Sequence, residues 1–493
     1  MNINGYSTAN GKDPMSILGF TNDQQKAYTE LIKFINEEYN ANDYKRALSG
    51  PAGSGKTYLV KALIKNCNFS YSVIKLSAPT HKACRVLKES INIPGVKAFT
   101  MASCLGFRPN YDAANFDIKN PPFDTKGKIK IIEEKPRLLI MDESSMIGRG
   151  ELFYIEKFCR QVQCKILFIG DAYQLPPINE KYSPAFRGVT TCQLNQIVRQ
   201  GDDNPISDIL PILRKDIDNK TYNFLNYIIK NPSRFNSDFT KGYRACNLES
   251  FTELVKVNFN DESYCKNIEF TKLIAYTNLC VSGWNKFIRN FIIKDCDKSI
   301  LTKNDLILSG ITIVDKFNDT VIINSEEYVI NDIVNYTHPK YNIRGFLVKF
   351  QAIYGGAISS PLFVVDHSDK FSINMYYKLS NELITAAKNA KTSVRAQRWR
   401  DYYEFKESCL LLVELQNSAG EVIINRNIDY GFSISAHKSQ GSTYDTVFVD
   451  VDDIVFDKNG AIRTDCDTIN RLLYVACSRC RNKLYIRFSK VNN

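Results

Sequence analysis

The stretch of sequence that decides the fold reads Gly50-Pro51-Ala52-Gly53-Ser54-Gly55-Lys56-Thr57. Residues 46–49 before it are typical of the end of a short buried strand, and residues 58–65 after it have the apolar spacing of a helix. A glycine-rich loop in this context turns backbone N–H groups toward an anion, which the positive end of the helix also attracts. We therefore predict that the loop binds a nucleoside triphosphate, with Lys56 at the terminal phosphates and the Thr57 hydroxyl on Mg²⁺. A simple connecting turn is the disfavoured alternative.

Length, charge and apolar runs limit the class of protein. A chain of 493 residues is long enough for roughly three or four domains or subdomains. The formal net charge of +11 favours a polyanionic partner, although a membrane surface would also attract it. No apolar run approaches the roughly 20 residues that cross a bilayer, and residues 1–12 lack the apolar stretch of a signal peptide. We therefore expect a cytoplasmic protein, in the cytosol or at the nucleoid.

The cysteines are distributed like buried, reduced thiols. The chain has 14 of them, scattered and often in or beside apolar runs, which disfavours a disulfide framework. Cys477 and Cys480 have the spacing of metal ligands, but no second pair lies at a zinc-site interval. The thiol interpretation is therefore favoured over a metal site.

Polar clusters follow further predicted strands at residues 72–78, 137–141 and 165–169. Because the carboxyl ends of parallel strands share one sheet edge, where open α/β sheets bind ligands, this repetition predicts a parallel, nucleotide-binding sheet. A helix is predicted to run from Thr21 or Asn22, as the N-cap, to about residue 39. Residues 107–134 interrupt the pattern and are typical of an irregular insertion or a hairpin.

The second half of the chain repeats the α/β pattern around an insertion. Residues 205–265 have the pattern of helices with charged faces. Residues 294–425 are enriched in Val, Ile, Thr and Tyr, which predicts a small β-rich insertion, followed by a polar helical piece at residues 380–407. The α/β elements predicted on either side of it lie at residues 272–276, 278–291, 428–434, 446–451, 468–476 and 484–488.

Asp142 and Glu143 follow the predicted strand at residues 137–141 and fit the second half of an ATPase site. The aspartate would hold Mg²⁺, directly or indirectly, while the glutamate would orient and activate the attacking water. Paired acids after a strand also serve as helix N-terminal charges. The phosphate loop upstream favours the catalytic interpretation.

Three further side chains are candidates for contacts with the transferred phosphate. Gln174 lies on a loop stiffened by Pro176 and Pro177, where it would sense the terminal phosphate or merely belong to a fixed turn. Arg199 and Arg479 close apolar segments and are candidates for the arginines that neutralise charge in phosphoryl transfer. Ordinary surface arginines are the alternative.

A constellation suited to nucleic acid combines small hydroxyls, cations and aromatic rings, because phosphates take the donors and bases stack on the rings. Its members are Thr80, His81, Lys82, Phe99, Thr100, Ser103, Ser435, His437, Lys438 and Ser439. Ordinary loop residues would give the same composition. The basic and aromatic residues 391–406 would also suit nucleic acid, but a solvated helix that packs its rings inward is favoured.

Taken together, these motifs resemble those of superfamily 1 helicases, specifically the 5′-to-3′ branch that contains the bacteriophage Dda helicase and bacterial RecD. Order and approximate spacing match over the whole chain. The matching segments are residues 20–24 as the Q motif, 50–57 as motif I, 78–83 as motif Ia, 142–146 as motif II, 170–177 as motif III, 194–200 as motif IV, 430–443 as motif V and 473–479 as motif VI.

The resemblance implies an α/β fold with two RecA-like parallel-sheet domains of the P-loop NTPase type and ATP in the cleft between them. The first domain would contain a strand-splitting pin at residues 107–134, and the second an inserted SH3-like, β-rich domain with a helical extension. The implied domains are residues 1–200, residues 201–293 with 426–493, and the inserted residues 294–425.

The resemblance also assigns roles to residues. Gln24 would recognise adenine, and Gln174, Arg199 and Arg479 would sense and stabilise the γ-phosphate. ATP would be bound by Gly50, Pro51, Ala52, Gly53, Ser54, Gly55, Lys56, Thr57 and Gly441, and Mg²⁺ by Thr57 and Asp142. Single-stranded DNA would cross both domains at the constellation described above. Two departures from the family pattern are Met101-Ala102 in place of Ile-His in motif Ib, and Ala436 in place of the threonine before the motif V histidine.

The implied function is an ATP-dependent DNA helicase in replication, recombination or repair. It would act as a monomer on single-stranded and forked DNA, with a single-strand-binding protein as a further partner and no membrane partner. Three alternatives stay open: a translocase or protein-displacing ATPase without efficient unwinding, a nucleotide-controlled switch, and RNA as the track.

Overall fold

The computed structural model describes residues 15–17, 19–109, 123–124, 135–177, 180–196, 204–261, 267, 270–293, 296, 298–314, 320–353, 358–416 and 421–491. The predictions for Arg199 and for most of residues 107–134 fall outside these residues. Among the described helices, none has both the length and the apolar character needed to cross a bilayer.

The first domain is a parallel sheet with helices packed against it. Its helices are α1 (Asn22–Asn36), α2 (Lys56–Asn66), α3 (His81–Ile91), α4 (Met101–Leu105) and α5 (Arg149–Val162). Its strands are β1 (Lys45–Ser49), β2 (Ile74–Ala78), β3 (Lys97–Thr100), β4 (Arg108–Pro109), β5 (Phe123–Asp124), β6 (Leu138–Met141), β7 (Lys165–Gly170) and β8 (Thr191–Gln193). Short 3₁₀ turns occupy Tyr71–Val73, Ser144–Met146 and Pro184–Phe186.

The strands of this sheet lie in the order β3-β2-β6-β7-β1-β8. Alternate residues of each strand enter different apolar clusters: Leu138 and Ile140 pack with α1 and α2, whereas Leu139 and Met141 pack with α5. Both faces are covered, which is why the strands are continuous apolar runs. The separate pair of β4 and β5 is antiparallel, so the described part of residues 107–134 has the hairpin pairing that was one of its two predicted forms.

The second domain begins with four helices and three strands among the described residues. They are α6 (Ile206–Asn219), α7 (Asn223–Lys230), β9 (Ser233–Phe235), β10 (Gly242–Cys246), α8 (Leu248–Phe259), β11 (Thr271–Ala275) and α9 (Asn278–Ile292).

A β-rich segment with a helical pair follows. Its elements are β12 (Leu306–Ser309), β13 (Ile313–Val314), β14 (Thr320–Ile322), β15 (Glu327–His338), β16 (Ile343–Ala352), β17 (Leu362–Val365), α10 (Lys370–Lys388), α11 (Thr392–Ser408), β18 (Leu415–Gln416), β19 (Val422–Ile424) and β20 (Ile428–Tyr430). The chain then returns through β21 (Ser433–Ser435), β22 (Tyr444–Asp450), α12 (Val451–Val455), α13 (Cys466–Ser478) and β23 (Cys480–Arg487).

The second sheet has the order β21-β11-β22-β23-β10-β9 and is parallel except at its β9 edge. The inserted sheet, β17-β16-β15-β12-β20, is antiparallel. The prediction of two parallel α/β domains with a β-rich insertion is confirmed. Whether that insertion is SH3-like stays a prediction.

Two secondary-structure predictions are wrong. Residues 205–265 are not all helical, because Gly242–Cys246 pairs with β23 and buries Tyr243 and Cys246 on opposite sides of the sheet. The strand predicted at residues 428–434 is divided, since β20 pairs with β12 of the insertion and β21 with β11 of the second sheet.

Two predictions about side chains hold. The described cysteines are free thiols and most are buried. Burial raises the pKa of the Cys477 thiol to about 12, which disfavours the thiolate that a metal needs. In α11, Trp399 and Tyr402 pack inward with Ala387 of α10, as expected for residues 391–406.

Candidate active site

The phosphate loop joins β1 to α2, and its shape depends on glycine. Gly53 and Gly55 have φ values of 82° and 80°, in the left-handed region that favours glycine. Lys56 Nζ donates hydrogen bonds to the carbonyl oxygens of Gly50 (2.6 Å) and Pro51 (2.9 Å). The ammonium group is therefore folded back over the concave side of the loop, where an anion would bind.

Gln24 lies against this loop. It closes the capping box of α1 with Thr21, one of the two predicted N-caps, and its Nε2 donates to Ser54 O over 3.0 Å. A Cβ on Gly55 would lie 2.3 Å from Gln24 Nε2, so any larger residue there would displace the end of the Gln24 side chain. The structure thus brings the predicted adenine-reading residue into contact with the loop.

Asp142 and Glu143 follow β6 at the same sheet edge. Glu143 N donates to Asp142 Oδ1 over 2.9 Å, and Glu143 has a φ of 51°, an unusual conformation for a non-glycine residue. Burial, together with the Asp142 carboxylate, raises the pKa of Glu143 to about 7, against the opposing charges of Arg479 and Lys56. Glu143 Oε2 is inaccessible and has no hydrogen-bond partner among the described residues.

The second domain contributes Arg479 and Gly441 to this group. Arg479, buried at the end of α13, donates to the carbonyl oxygens of Val475 (3.1 Å) and Ser442 (3.2 Å). Gly441 has a φ of 74°, and a Cβ built on it would lie 3.7 Å from both Glu143 Oε1 and Ala83 Cβ. The cleft between the two sheets therefore brings together Lys56, Asp142, Glu143, Gly441 and Arg479.

Gln174 lies beside this group but lines a different space. Its side chain borders a cavity of about 230 Å³ that also contacts Ser145, Arg187 and Arg471. Gln174 Oε1 and Ser145 Oγ are both buried and lack hydrogen-bond partners within the described residues. Its role toward the terminal phosphate stays a prediction.

The loop after β7 accepts hydrogen bonds from side chains of the second domain. Tyr474 donates its hydroxyl to Asp171 Oδ2 over 2.6 Å, and Arg471 Nη1 donates to the carbonyl oxygens of Ala172 (2.8 Å) and Gln174 (3.0 Å). The sequence analysis assigned no role to Asp171, Arg471 or Tyr474. The one available sign was the position of Asp171 in motif III and of Tyr474 in motif VI.

The residues present fit a magnesium ion that accompanies a triphosphate. Thr57 and Asp142 offer hard oxygen ligands, which Mg²⁺ prefers. Burial raises the pKa of Asp142, while the Glu143 N–H and Lys56 oppose that shift, and a nearby cation would favour its ionised form. Within the described ranges, no group of three or more His, Cys, Asp or Glu residues could hold a metal unaided, so phosphate oxygens would complete the coordination.

The candidate DNA-binding residues of the first domain follow β2 and β3. Thr80 and Thr100 act as N-caps, accepting from the backbone N–H groups of Ala83 and Ser103 at 3.2 Å each. Phe99 is half-buried and packs with the core below, and His81 is exposed in the first turn of α3. These side chains share the carboxyl edge of the sheet with the phosphate loop.

Lys82 lies in an ion pair and beside an aromatic ring, and its contact with DNA stays a prediction. Its Nζ lies 3.6 Å from Glu327 Oε2 and 5.4 Å from the centre of the Tyr444 ring. Glu327 also accepts a hydrogen bond from Lys272 Nζ over 2.5 Å. We call this meeting point of α3, β11 and β15 the Glu327 junction.

The second-domain candidates lie after β21. His437 and Lys438 are exposed, and Ser435 Oγ accepts from Lys438 N over 3.4 Å. The His437 ring lies 6.3 Å from that of Tyr276, whose other neighbour is the Arg463 guanidinium at 5.1 Å. The sequence analysis did not single out Tyr276 or Arg463, since a tyrosine that ends a strand resembles a core residue.

The sequence is similar to one protein family and to one viral protein. Residues 22–226 match the AAA domain family. An uncharacterised protein of Acanthamoeba polyphaga mimivirus is 24% identical over 514 residues, covering 94% of this chain and 99% of that protein.

The chain is also similar to solved structures. One is the Pif1 helicase from Candida albicans, with a TM-score of 0.46, 18% identity and 97% of each chain covered. Another is the Pif1 helicase from Bacteroides in complex with ADP-AlF3 and ssDNA, with a TM-score of 0.49, 16% identity, and 96% of this chain and 94% of that chain covered. The AAA domain match spans the phosphate loop, Asp142, Glu143 and the loop after β7.

Proposed function

We propose that this chain is an ATP-dependent helicase that moves 5′ to 3′ along single-stranded DNA and unwinds a forked duplex. The observation that carries the proposal is the convergence on Glu143 of Lys56 from the first domain and of Gly441 and Arg479 from the second. A site divided between two domains changes when they move, so nucleotide turnover and domain movement are linked. The choice of DNA and of direction rests on the resemblance of the motifs.

The residues of the cleft suit ATP hydrolysis. Glu143, with a pKa of about 7, would accept a proton from the attacking water as its oxygen bonds to the γ-phosphorus and the bond to the bridging oxygen breaks. Lys56 and Arg479 would stabilise the negative charge that spreads over the phosphoryl oxygens. Bound Mg²⁺, held by Thr57 and Asp142, would neutralise phosphate charge.

One short loop links this chemistry to the candidate DNA-binding residues. His437 and Lys438 stand near its start, and Gly441 lies so close to Glu143 and to Ala83 of α3 that a Cβ built on it would be in van der Waals contact with both. A DNA strand that binds at the start of the loop would therefore shift Gly441 and change the position of Glu143. This arrangement supports stimulation of ATP hydrolysis by the bound strand.

Strand separation on two partial duplexes tests the proposal, one with a 5′ and one with a 3′ single-stranded tail, with Lys56→Ala as the control. We expect ATP-driven unwinding only from the 5′ tail and none by the Lys56→Ala variant. Unwinding only from the 3′ tail would contradict the direction. DNA-stimulated hydrolysis without unwinding would favour a translocase, and a preference for RNA tails would change the track.

A further inference from the structure

Tyr474 and Asp171 form a buried hydrogen bond between the two domains that the proposed chemistry does not use. Tyr474 belongs to α13 of the second domain and Asp171 follows β7 of the first, and each is only 1% exposed. The hydroxyl donates to Asp171 Oδ2 over 2.6 Å. A short hydrogen bond to a buried carboxylate is stronger than one between neutral groups.

Asp171 also belongs to the electrostatic environment of the phosphate loop. Burial lowers the pKa of Lys56, and Asp171 is the acidic neighbour that opposes this shift most, ahead of Asp142 and Glu143. Its other oxygen, Oδ1, accepts from Tyr173 N over 3.1 Å. The carboxylate therefore accepts the hydroxyl of the second domain while its negative charge favours the charged form of the ammonium in the first.

The same helix holds this loop at a second point and carries the candidate arginine. Arg471 stands three residues before Tyr474, on the same face of α13, and its Nη1 binds the carbonyl oxygens of Ala172 and Gln174. Asp467 Oδ2 fixes the Arg471 guanidinium by accepting from Nε over 2.7 Å. Arg479 follows Tyr474 by five residues, about 7.5 Å along a helix axis.

We propose that Tyr474 is a positioning residue, which couples occupation of the phosphate loop to the placement of Arg479 through Asp171. The inference rests on the proposed ATP hydrolysis. When Lys56 turns to a bound triphosphate, Asp171 loses part of its counter-charge and depends more on the Tyr474 hydroxyl. The helix that bears Tyr474 is thereby held against the first domain, with Arg479 facing Glu143.

The test is Tyr474→Phe, which removes one hydroxyl and keeps the ring. The matched control is Tyr485→Phe in β23, a buried tyrosine that packs with Phe448 in the core of the same domain, away from the cleft. For Tyr474→Phe we expect kcat of single-strand-stimulated ATP hydrolysis to fall by about ten- to a hundredfold. We expect KM for ATP to stay within about twofold, as for a group that acts mainly in the transition state. The Tyr485→Phe variant should keep the wild-type kcat.

Two further variants distinguish a positioning role of Tyr474 from a general loss of folding or activity. Asp171→Asn should reduce kcat to a similar degree, and adding Tyr474→Phe to it should cost little more. In an Arg479→Ala background, Tyr474→Phe should change kcat by less than about twofold, because the group that it positions is gone.

The inference is overturned if Tyr474→Phe has the wild-type kcat, if only KM rises, or if its effect persists undiminished in the Arg479→Ala background. Absence of stimulated hydrolysis in the wild-type protein would contradict the proposed function itself, and the inference with it. A folded Tyr474→Phe protein is confirmed by a thermal midpoint close to that of Tyr485→Phe. If Tyr474→Phe does not fold, the Asp171→Asn and Arg479→Ala pair provides the same comparison.

Discussion

The nucleotide cleft and the Glu327 junction, two places where the domains of this protein meet, differ in how their buried charges are paired. Several polar atoms in and beside the nucleotide cleft are buried without hydrogen-bond partners among the described residues, namely Glu143 Oε2 and Ser54 Oγ in the cleft, and Gln174 Oε1 and Ser145 Oγ at the cavity beside it. At the Glu327 junction, buried carboxylates and cations form ion pairs: Lys272 Nζ lies 2.5 Å from Glu327 Oε1, and Arg85 Nη1 lies 3.1 Å from Glu326 Oε1. Glu327 Oε2 is buried without a hydrogen-bond partner among the described residues, but it lies 3.6 Å from the Lys82 ammonium. The side chains of Lys272 and Glu327 are 0% and 3% exposed.

This difference separates a surface that receives a ligand from one that holds elements together. An unpartnered buried polar atom is costly, and native proteins keep few of them outside functional sites. A buried ion pair also costs desolvation, but it fixes one arrangement, because separating its members leaves a charge without a partner. We therefore expect substitutions in the cleft to change catalysis at nearly constant stability, and substitutions at the junction to change stability.

The largest expected effect is on catalysis. Glu143→Gln should lower kcat of single-strand-stimulated ATP hydrolysis by about 10³-fold, or about 4 kcal/mol of activation free energy, because the amide cannot accept the proton. ATP affinity, measured by calorimetry, should stay close to that of the wild type. The control is Glu156→Gln, which alters a glutamate of α5 that is paired with Lys45 of β1. This variant should keep the wild-type turnover rate. An equal loss of ATP turnover in both variants would contradict the specific role of Glu143 in catalysis.

The next effect is on stability and belongs to the junction. Glu327→Gln should lower the free energy of unfolding by about 3 kcal/mol, since it leaves Lys272 buried without a counter-charge. The double variant Lys272→Met/Glu327→Leu should recover much of that loss. The control is Asp332→Asn. Asp332 lies on β15, as Glu327 does, and forms an exposed ion pair with Lys349 of β16, so its loss should cost less than about 0.5 kcal/mol. Urea unfolding of the four proteins measures these differences.

The pH dependence of this stability has a defined sign. Burial alone would raise the pKa of Glu327, but Lys272 and Lys82 outweigh it and hold the pKa below its ordinary value. The contribution of the carboxylate is therefore complete above the pKa of the unfolded chain and is lost as the pH falls through the lowered, folded-state pKa. The stability gap between wild type and Glu327→Gln should be constant near neutral pH and close in acid.

The parts of the molecule that depend on local sequence could be predicted. The apolar strands β1, β2, β6 and β7, the Thr21 cap and the glycine loop each follow from patterns within about ten residues. Contacts between distant elements could not: the pairing of Lys82 with Glu327 joins α3 to β15, and no local pattern selects that partner. Lys82 was accordingly assigned to DNA.

The same reasoning explains the missed strands. Gly242–Cys246 is short and lacks period-two alternation, because residues on both its faces are buried and only Arg244 in the middle is exposed. Its pairing with β23 is therefore what identifies it. The change of sheet near Gly431 is likewise decided by pairing with β12 and β11. In the cleft, the first-domain residues follow from motifs, whereas the Tyr474–Asp171 contact required the packing of two domains.

A smaller effect is expected in the pH profile of the cleft. Because the pKa of Glu143 is about 7 and the carboxylate form is the base, kcat/KM for ATP should rise about tenfold per pH unit below that value and level off above it. The measurement is initial hydrolysis rates between about pH 5.5 and pH 8.5, with residual Glu143→Gln activity expected to be nearly independent of pH. The Glu327 carboxyl, whose pKa is held below its ordinary value, should not titrate in this range, so unfolding midpoints of wild type and Glu327→Gln taken in parallel distinguish the two regions. A flat wild-type profile would contradict Glu143 as the base.

The smallest expected effect separates backbone cost from cleft geometry. Gly441 and Gly460 have φ values of 74° and 78°, but a Cβ on Gly441 meets Glu143 and Ala83 at 3.7 Å, whereas nothing lies within 4 Å of one on Gly460. Alanine at either position should therefore cost about 1 kcal/mol in stability. Only Gly441→Ala should also reduce stimulated ATP hydrolysis, by about three- to tenfold, because relief of its backbone strain shifts the loop that touches Glu143. Unfolding curves measure the stability cost, and ATP turnover rates measure the catalytic effect. A similar loss of turnover in Gly460→Ala would show that backbone strain anywhere in the second domain slows hydrolysis. The loop that contains Gly441 would then have no specific role in linking strand contacts to catalysis.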